Sequence, residues 1–202
     1  TGLNPLKDQI SLIGIGVNDK ESGWNCFLFD QLDHDFTKTL RPLLESKETY
    51  KLGHNFKFDW SFLWHQMGID CQPILDTMLA AIVCEYGTMQ EKGRWSLAAL
   101  SLDKLGHHMD KDEELRTSFK GTSYTDRQLH YAASDLVQTG ELWNSYAPSL
   151  NGHFDIVKLE CDIIPSVAST ELAGMKVDIK KLNVLMELAN LSKKVLEKSL
   201  PI

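Results

Sequence analysis

The 202-residue sequence has no uninterrupted apolar run approaching the roughly 18 residues that a membrane span needs. Its opening residues, Thr1-Gly2-Leu3-Asn4-Pro5, carry neither the basic nor the apolar region of an export signal. The expectation is a soluble, unexported chain with no membrane partner. Cys26, Cys71, Cys84 and Cys161 are scattered with no C-x-x-C spacing, which fits neither a zinc site nor a disulfide framework. A reducing cytoplasm is the simplest home. Positive charge is also scarce: 21 Lys and Arg face 28 Asp and Glu, for a net charge of −7. The broad basic footprint of a protein that holds duplex DNA by counterion release is therefore absent, and the isolated chain should bind nucleic acid weakly. An acidic balance suits an enzyme that gathers carboxylates around divalent cations and leans on a tethered domain to hold a polymer. It suits equally many proteins that never touch DNA. Internal repeats and low-complexity tracts are lacking too. What is present is a hydrophobic content of 43%, enough for one globular domain and an appendage.

Hydrophobic periodicity places the elements. Ile10 to Val17 and Trp24 to Phe29 read as two strands around a polar turn at Asn18 to Gly23, a hairpin. Phe36 to Ser46 is a short amphipathic helix, and Tyr50 to Asn55 returns to extended chain. Phe56, Trp60, Leu63 and Met67 form a stripe at 3.6-residue spacing, and Gly68 stands where a left-handed residue ends a helix. Ile69 to Leu75 reads as a short buried strand interrupted by Pro73. Asp76-Thr77 starts another helix through Cys84, with Asp76 better read as its N-cap than as a working acid. A further helix starts near Ser96. Gly106 to Ser123 is polar and aperiodic, and His107-His108 within it reads as a solvated loop. Thr125-x-x-Gln128 is a capping-box pattern opening a helix to about Tyr146, which Pro148 stops. After Asn151-Gly152, Ile156 to Leu172 and Ile179 to Leu200 are two helical runs that read as a separate segment.

Two groups of residues can carry chemistry. On the helix from Thr125, the residues Leu129, Ala133, Leu136, Gly140 and Trp143 share the face to be buried, while Tyr131 and Asp135 fall on the other side. Four apart, a phenol and a carboxylate can address one small volume. By itself Y-x-x-x-D is a weak pattern, and its plain reading is a solvated helix face. Gly53-His54-Asn55-Phe56-Lys57-Phe58-Asp59 is more specific: it joins an extended run to a helix, at the strand end where open α/β sheets place their sites. There the plain reading makes Asn55 a helix cap and Asp59 a complement to the helix dipole.

Together these residues resemble the DEDD exonuclease superfamily, in its tyrosine-bearing branch. His54-Asn55-x-Lys57-Phe58-Asp59 is similar to the second motif and Tyr131-x-x-x-Asp135 to the third, with Leu75-Asp76-Thr77-Met78 and Ser96-Leu97 between them. The exit, from Leu159-Glu160 to Ile164-Pro165 and then Glu171-Leu172-Ala173-Gly174-Met175-Lys176-Val177-Asp178, resembles the passage from exonuclease to polymerase in family A DNA polymerases. The resemblance implies an α/β fold: a ribonuclease H-like mixed sheet flanked by helices, with its first, central strand missing, followed by a C-terminal helical segment. It divides the chain into an exonuclease domain over 1–150 and a helical linker with the start of a polymerase domain over 151–202.

The activity implied is proofreading: hydrolysis of 3′-terminal phosphodiesters by two divalent cations, Mg²⁺ with Mn²⁺ or Zn²⁺ as alternatives. Asp59, Tyr131 and Asp135 would be catalytic, with Asp59 and Asp135 the metal ligands. Leu3, His54, Asn55 and Lys57 would meet nucleic acid, Leu3 as an apolar wedge and Lys57 at the backbone. Partners would be a single-stranded 3′ end of DNA and the polymerase domain of the same parent, in a monomer of a bacterial or viral replication system, with an organelle left open. The family's first motif is an Asp-x-Glu on the central strand, and the resemblance implies that this chain begins after it, an N-terminal truncation. Asp8, the only acid in the first ten residues, reads as turn chemistry. Metal binding and activity are therefore expected to be impaired. The competing expectations are a degenerate domain that only positions a polymerase and a nucleic-acid-binding module on the same fold.

Overall fold

A computed structural model of the protein describes residues 3–85, 93–109, 115, 118–119 and 123–199. The chain forms two compact units, Thr1–Leu172 and Ala173–Ile202.

The first unit opens with the expected hairpin. Strands β1 (Leu12–Asp19) and β2 (Gly23–Asp30) pair antiparallel from Leu12↔Asp30 to Asp19↔Gly23. Helix α1 (Thr37–Leu44) buries Leu40 and Leu44. Strand β3 (Lys51–Gly53) leads into helix α2 (Phe56–Met67), on which the predicted stripe Phe56, Trp60, Leu63 and Met67 is buried. Gly68 ends α2 at φ 59°, a left-handed conformation that glycine adopts without a Cβ clash. The Arg41 guanidinium of α1 donates to the free carbonyls of Met67 and Gly68 at 2.8 Å each, fixing that end.

Strand β4 is shorter than the pattern suggested. It comprises Ile74–Asp76 only, after Pro73, and runs parallel to β3. Ile69 and Cys71 are fully buried without joining the strand, so the apolar run was signalling core burial rather than extended pairing. Helix α3 (Thr77–Cys84) follows directly, then α4 (Leu97–Leu105), capped by Ser96, which accepts from the Ala99 amide. Most of the polar stretch 106–123 lies outside the described residues.

Helix α5 (Asp126–Tyr146) begins with the full capping box of Thr125 and Gln128. A short 3₁₀ turn (Ala147–Leu150) containing Pro148 ends it, and helix α6 (Phe154–Ala173) follows. Val157, Cys161, Ile164 and Ala168 of α6 enter the same core as Trp60, Leu63 and Met67. A second core joins Ala81 of α3, Leu100 of α4, and Leu142 and Tyr146 of α5. Truncating a side chain such as Leu142, which is fully buried, costs about 2–5 kcal/mol.

Among the described residues the sheet appears as two separate pairs, β1-β2 and β3-β4. Helix α5 packs across β1, β2 and β3, and so ties both pairs to one support. Its seat on the hairpin is close. Leu136 lies against Gly14 and Gly16, and a Cβ on Gly140 would stand 1.9 Å from the Trp24 ring.

The second unit contains helix α7 (Ile179–Ser199), at whose start the Asp178 carboxylate accepts from the Lys181 amide.

Candidate active site

The corner between β3 and α2 is built around Asp76, at the end of β4 and only 1% exposed. Its carboxylate accepts from the amides of Asn55 (3.0 Å), Phe56 (2.7 Å), Met78 (2.8 Å) and Leu79 (3.4 Å). The expected cap of α3 is confirmed, and the same group also caps α2. One buried charge thus serves the positive ends of two helices and meets amides that would otherwise lack intrahelical partners.

Asn55 consequently does not cap α2. It takes the left-handed conformation (φ 58°, ψ 48°), makes no side-chain capping bond and is exposed. A non-glycine residue tolerates this conformation when the surroundings enforce it, and asparagine is among the residues that do so most readily. Its amide side chain is turned out to solvent. The close approach permitted by Gly53 is used by the protein itself, since a Cβ there would lie 2.3 Å from the Phe56 ring.

His54 is tied inward at both ring nitrogens, with Nε2 2.9 Å from the Trp95 carbonyl and Nδ1 2.8 Å from Thr77 Oγ1. A carbonyl only accepts, so Nε2 carries a proton and Nδ1 faces the hydroxyl, which also reaches the Gly53 carbonyl at 3.2 Å. Burial holds the imidazole below its ordinary pKa, against the Asp76 charge and the Trp95 carbonyl. In this position His54 ties the corner to the start of α3 and to the segment entering α4.

Asp59 lies in the first turn of α2 and is exposed. The protein mass around it, with the Asp76 charge adding, pushes its carboxyl up to about 7. Water at the open face screens part of that penalty. Lys57, also in the first turn, pairs through Nζ with Glu171 Oε1 of α6 at 2.7 Å.

Tyr131 and Asp135 lie on α5 and are half-buried rather than solvated. The Tyr131 ring is 6.4 Å from that of Phe119, and the Asp135 carbonyl accepts from Thr139 Oγ1 at 2.8 Å. Contact between α5 and β3 sets their helix against the strand that feeds Asp59. Leu3 is 83% exposed. Asp8 does perform turn chemistry, accepting from the Asn4 amide at 2.8 Å.

No group of three or more His, Cys, Asp or Glu side chains able to hold a metal ion gathers among the described residues. Asp59 and Asp135 are suitable hard donors, but that donor set is incomplete for an inner-shell site. A cavity of about 570 Å³ lies at the opposite end of α2, lined by the turn from Pro5 to Ile10 and by His65 and Gln66. None of the candidate residues lines it, so volume and chemistry are separated here.

Sequence reasoning missed three partners: Asp76 as the cap of α2, the Trp95 carbonyl on His54, and Glu171 on Lys57. Each is separated from its partner by 20 residues or more, and only the cap pattern at Asp76 left a local signal.

A family model for 3′-5′ exonuclease matches residues 1–151. DNA polymerase I of Aquifex aeolicus is 31% identical over 196 residues, which is 87% of this chain and 31% of that protein. Ribonuclease D of Nitrobacter hamburgensis is 28% identical over 136 residues, 64% of this chain and 33% of that protein. The chain spans about a third of the length of each of these relatives. Among solved structures, Brucella melitensis NrnC bound to pGG superposes with a TM-score of 0.72 at 22% identity, over 86% of this chain and 81% of that one. The fold is thereby the ribonuclease H-like α/β fold expected from the sequence. With three quarters of its length under the family match, the chain belongs to the 3′-5′ exonuclease family.

Proposed function

We propose that the chain is the proofreading exonuclease domain of a family A DNA polymerase, acting on single-stranded 3′ ends of DNA. The observation that carries this reading is the reach of the likeness. Similarity to DNA polymerase I extends over 87% of the chain, past the family match, whereas similarity to ribonuclease D covers 64%. Residues 151–202 are then the linker and the start of the polymerase domain.

In this reading the exposed amide of Asn55 and the Lys57 ammonium meet the terminal nucleotides, and Leu3 is the apolar wedge. Tyr131 orients the attacking water, and Asp59 and Asp135 are the catalytic carboxylates. The chemistry is that of divalent cations, which polarise the phosphate and generate hydroxide. The described residues do not complete a cation site, so no hydrolytic step is assigned to this chain alone. A second reading, a ribonuclease of the NrnC or ribonuclease D kind, draws on the 81% coverage of the NrnC chain.

The test uses 5′-labelled single-stranded DNA and RNA with Mg²⁺. The 202-residue chain is expected to release few nucleotides. A longer protein that contains it is expected to shorten DNA from the 3′ end, and Asp59→Ala or Asp135→Asn should abolish this. Trimming that survives either change removes the assignment of the site. Preference for RNA favours the second reading, and a longer protein that trims neither substrate favours a degenerate domain.

A further inference from the structure

The ion pair between Lys57 and Glu171 joins the candidate site to a residue outside the segment that carries the family match. Lys57 Nζ and Glu171 Oε1 are 2.7 Å apart, with side chains 38% and 57% exposed, so solvent and solute reach both. The amides at the start of α2 would ordinarily attract an anion, but those of Asn55 and Phe56 are occupied by Asp76. The positive group left to this motif for meeting a phosphate is the Lys57 ammonium. A carboxylate already holds it.

We propose that Glu171 is a residue of the nucleic-acid site: its carboxylate stands in for a backbone phosphate on Lys57 and is displaced when the strand binds. The proposal rests on the reading that Lys57 contacts nucleic acid. Its physical basis is the weakness of exposed ion pairs, worth about 0–1 kcal/mol, which lets another anion compete. Once displaced, Glu171 returns to water easily because it is already half open. It nevertheless stays near the phosphate and repels it. Glu171 thus lowers affinity twice, by competition and by repulsion, in a chain whose net charge of −7 already opposes a polyanion. A site weakened in this way holds a strand only when another part of the protein presents it.

The experiment is fluorescence anisotropy of a labelled oligothymidylate with the 202-residue chain at low salt, in the presence of a chelator. The proteins are the wild type, Glu171→Gln, Lys57→Gln, the double variant and Glu160→Gln. Glu160 is an exposed acid on the same helix and controls for bulk charge. Glu171→Gln is expected to tighten binding by about 1.5- to fivefold, the measurable range of an exposed ion pair. The gain should shrink with added salt and vanish in the Lys57→Gln background. No tightening, or the same tightening without Lys57 or from Glu160→Gln, overturns the proposal. If Lys57→Gln binds as well as wild type, or if no variant binds, the reading of Lys57 falls with it. If Lys57→Gln weakens binding while Glu171→Gln is silent, only the role of Glu171 falls.

Discussion

Replacing Asp76 by alanine tests whether one buried carboxylate organises the corner. The change removes acceptors from four backbone amides, two at the start of α2 and two at the start of α3. Loss of an N-cap costs about 0.5–2 kcal/mol, and two helices lose theirs. The Phe56 amide is buried, and leaving such a donor unmade costs about 1–3 kcal/mol more. The gross loss is about 2–7 kcal/mol, and part of it is returned because a charge no longer has to be buried. A net 2–4 kcal/mol corresponds to a fall in Tm of roughly 5–15 °C at about 2–4 °C per kcal/mol for a domain of this size. Asp76→Asn should fall between alanine and wild type. Its retained oxygen can serve the three donors that share Oδ1, while the Phe56 amide faces an amide nitrogen. Calorimetry gives the Tm, and hydrogen exchange should show the Phe56 amide losing protection in both variants. An Asp76→Ala protein melting within about 2 °C of wild type, or one with Phe56 still protected, refutes the double-cap account.

His54 gives a pH prediction. Its pKa is lowered in the folded state by burial, so near the ordinary value of 6.5 the unfolded chain binds more protons, and stability falls as pH drops below that value. Asp59 acts in the opposite sense: its raised pKa stabilises the fold below the ordinary carboxylate value of 3.8, and that contribution is lost as pH rises through about 7. Denaturant melts of wild type and His54→Gln at pH 7.5 and 5.5 separate the two. Wild type should lose more stability on acidification, because glutamine can span Trp95 and Thr77 without titrating; equal losses would sink the argument. Gly140→Ala drives a methyl group into the Trp24 ring and should destabilise by about 1–3 kcal/mol. Coupling to Trp24→Leu checks the cause, since a double variant that shows the full sum of both single losses would mean that the clash is not the reason.

Much of the fold was legible because its signals are local. The hairpin turn, the α2 stripe ending at Gly68 and the Thr125-Gln128 capping box each occupy a few consecutive residues, and all appear in the structure. Strand β4 was overextended because an apolar run reports burial, and Ile69 and Cys71 are buried without pairing. At the site, the residue types were legible but their occupations were not. Asn55 looked like a cap because asparagine often is one. The actual cap comes from Asp76, 21 positions later, across a parallel strand pair that the sequence could not register. The inward ties of His54 depend on a loop end 41 residues away.

The periodicity of α5 supplies the strongest physical reason for treating Tyr131 and Asp135 as a site. At about 100° per residue, Leu136 and Gly140 share the face seated on the hairpin, and Leu142 and Tyr146 lie on another. That second face is buried too, against Ala81 and Leu100. Followed back toward the start of the helix, it runs through Asp135 and Tyr131, one turn apart. The stripe that carries core residues at one end therefore carries a carboxylate and a phenol at the other, and both are half-buried rather than solvated. A helix whose only task was packing would continue the apolar stripe. A break in that pattern on a partly enclosed face is a place where a functional site is expected, which is why the proposed function uses these two residues. Tyr131 and Asp135 are half-buried, as is every residue from 131 to 139, so it is their position on the stripe rather than their burial that sets them apart. The close seat of the opposite face on Gly14 and Gly16, with Trp24 against Gly140, fixes the rotation of the helix and therefore what these two side chains can address.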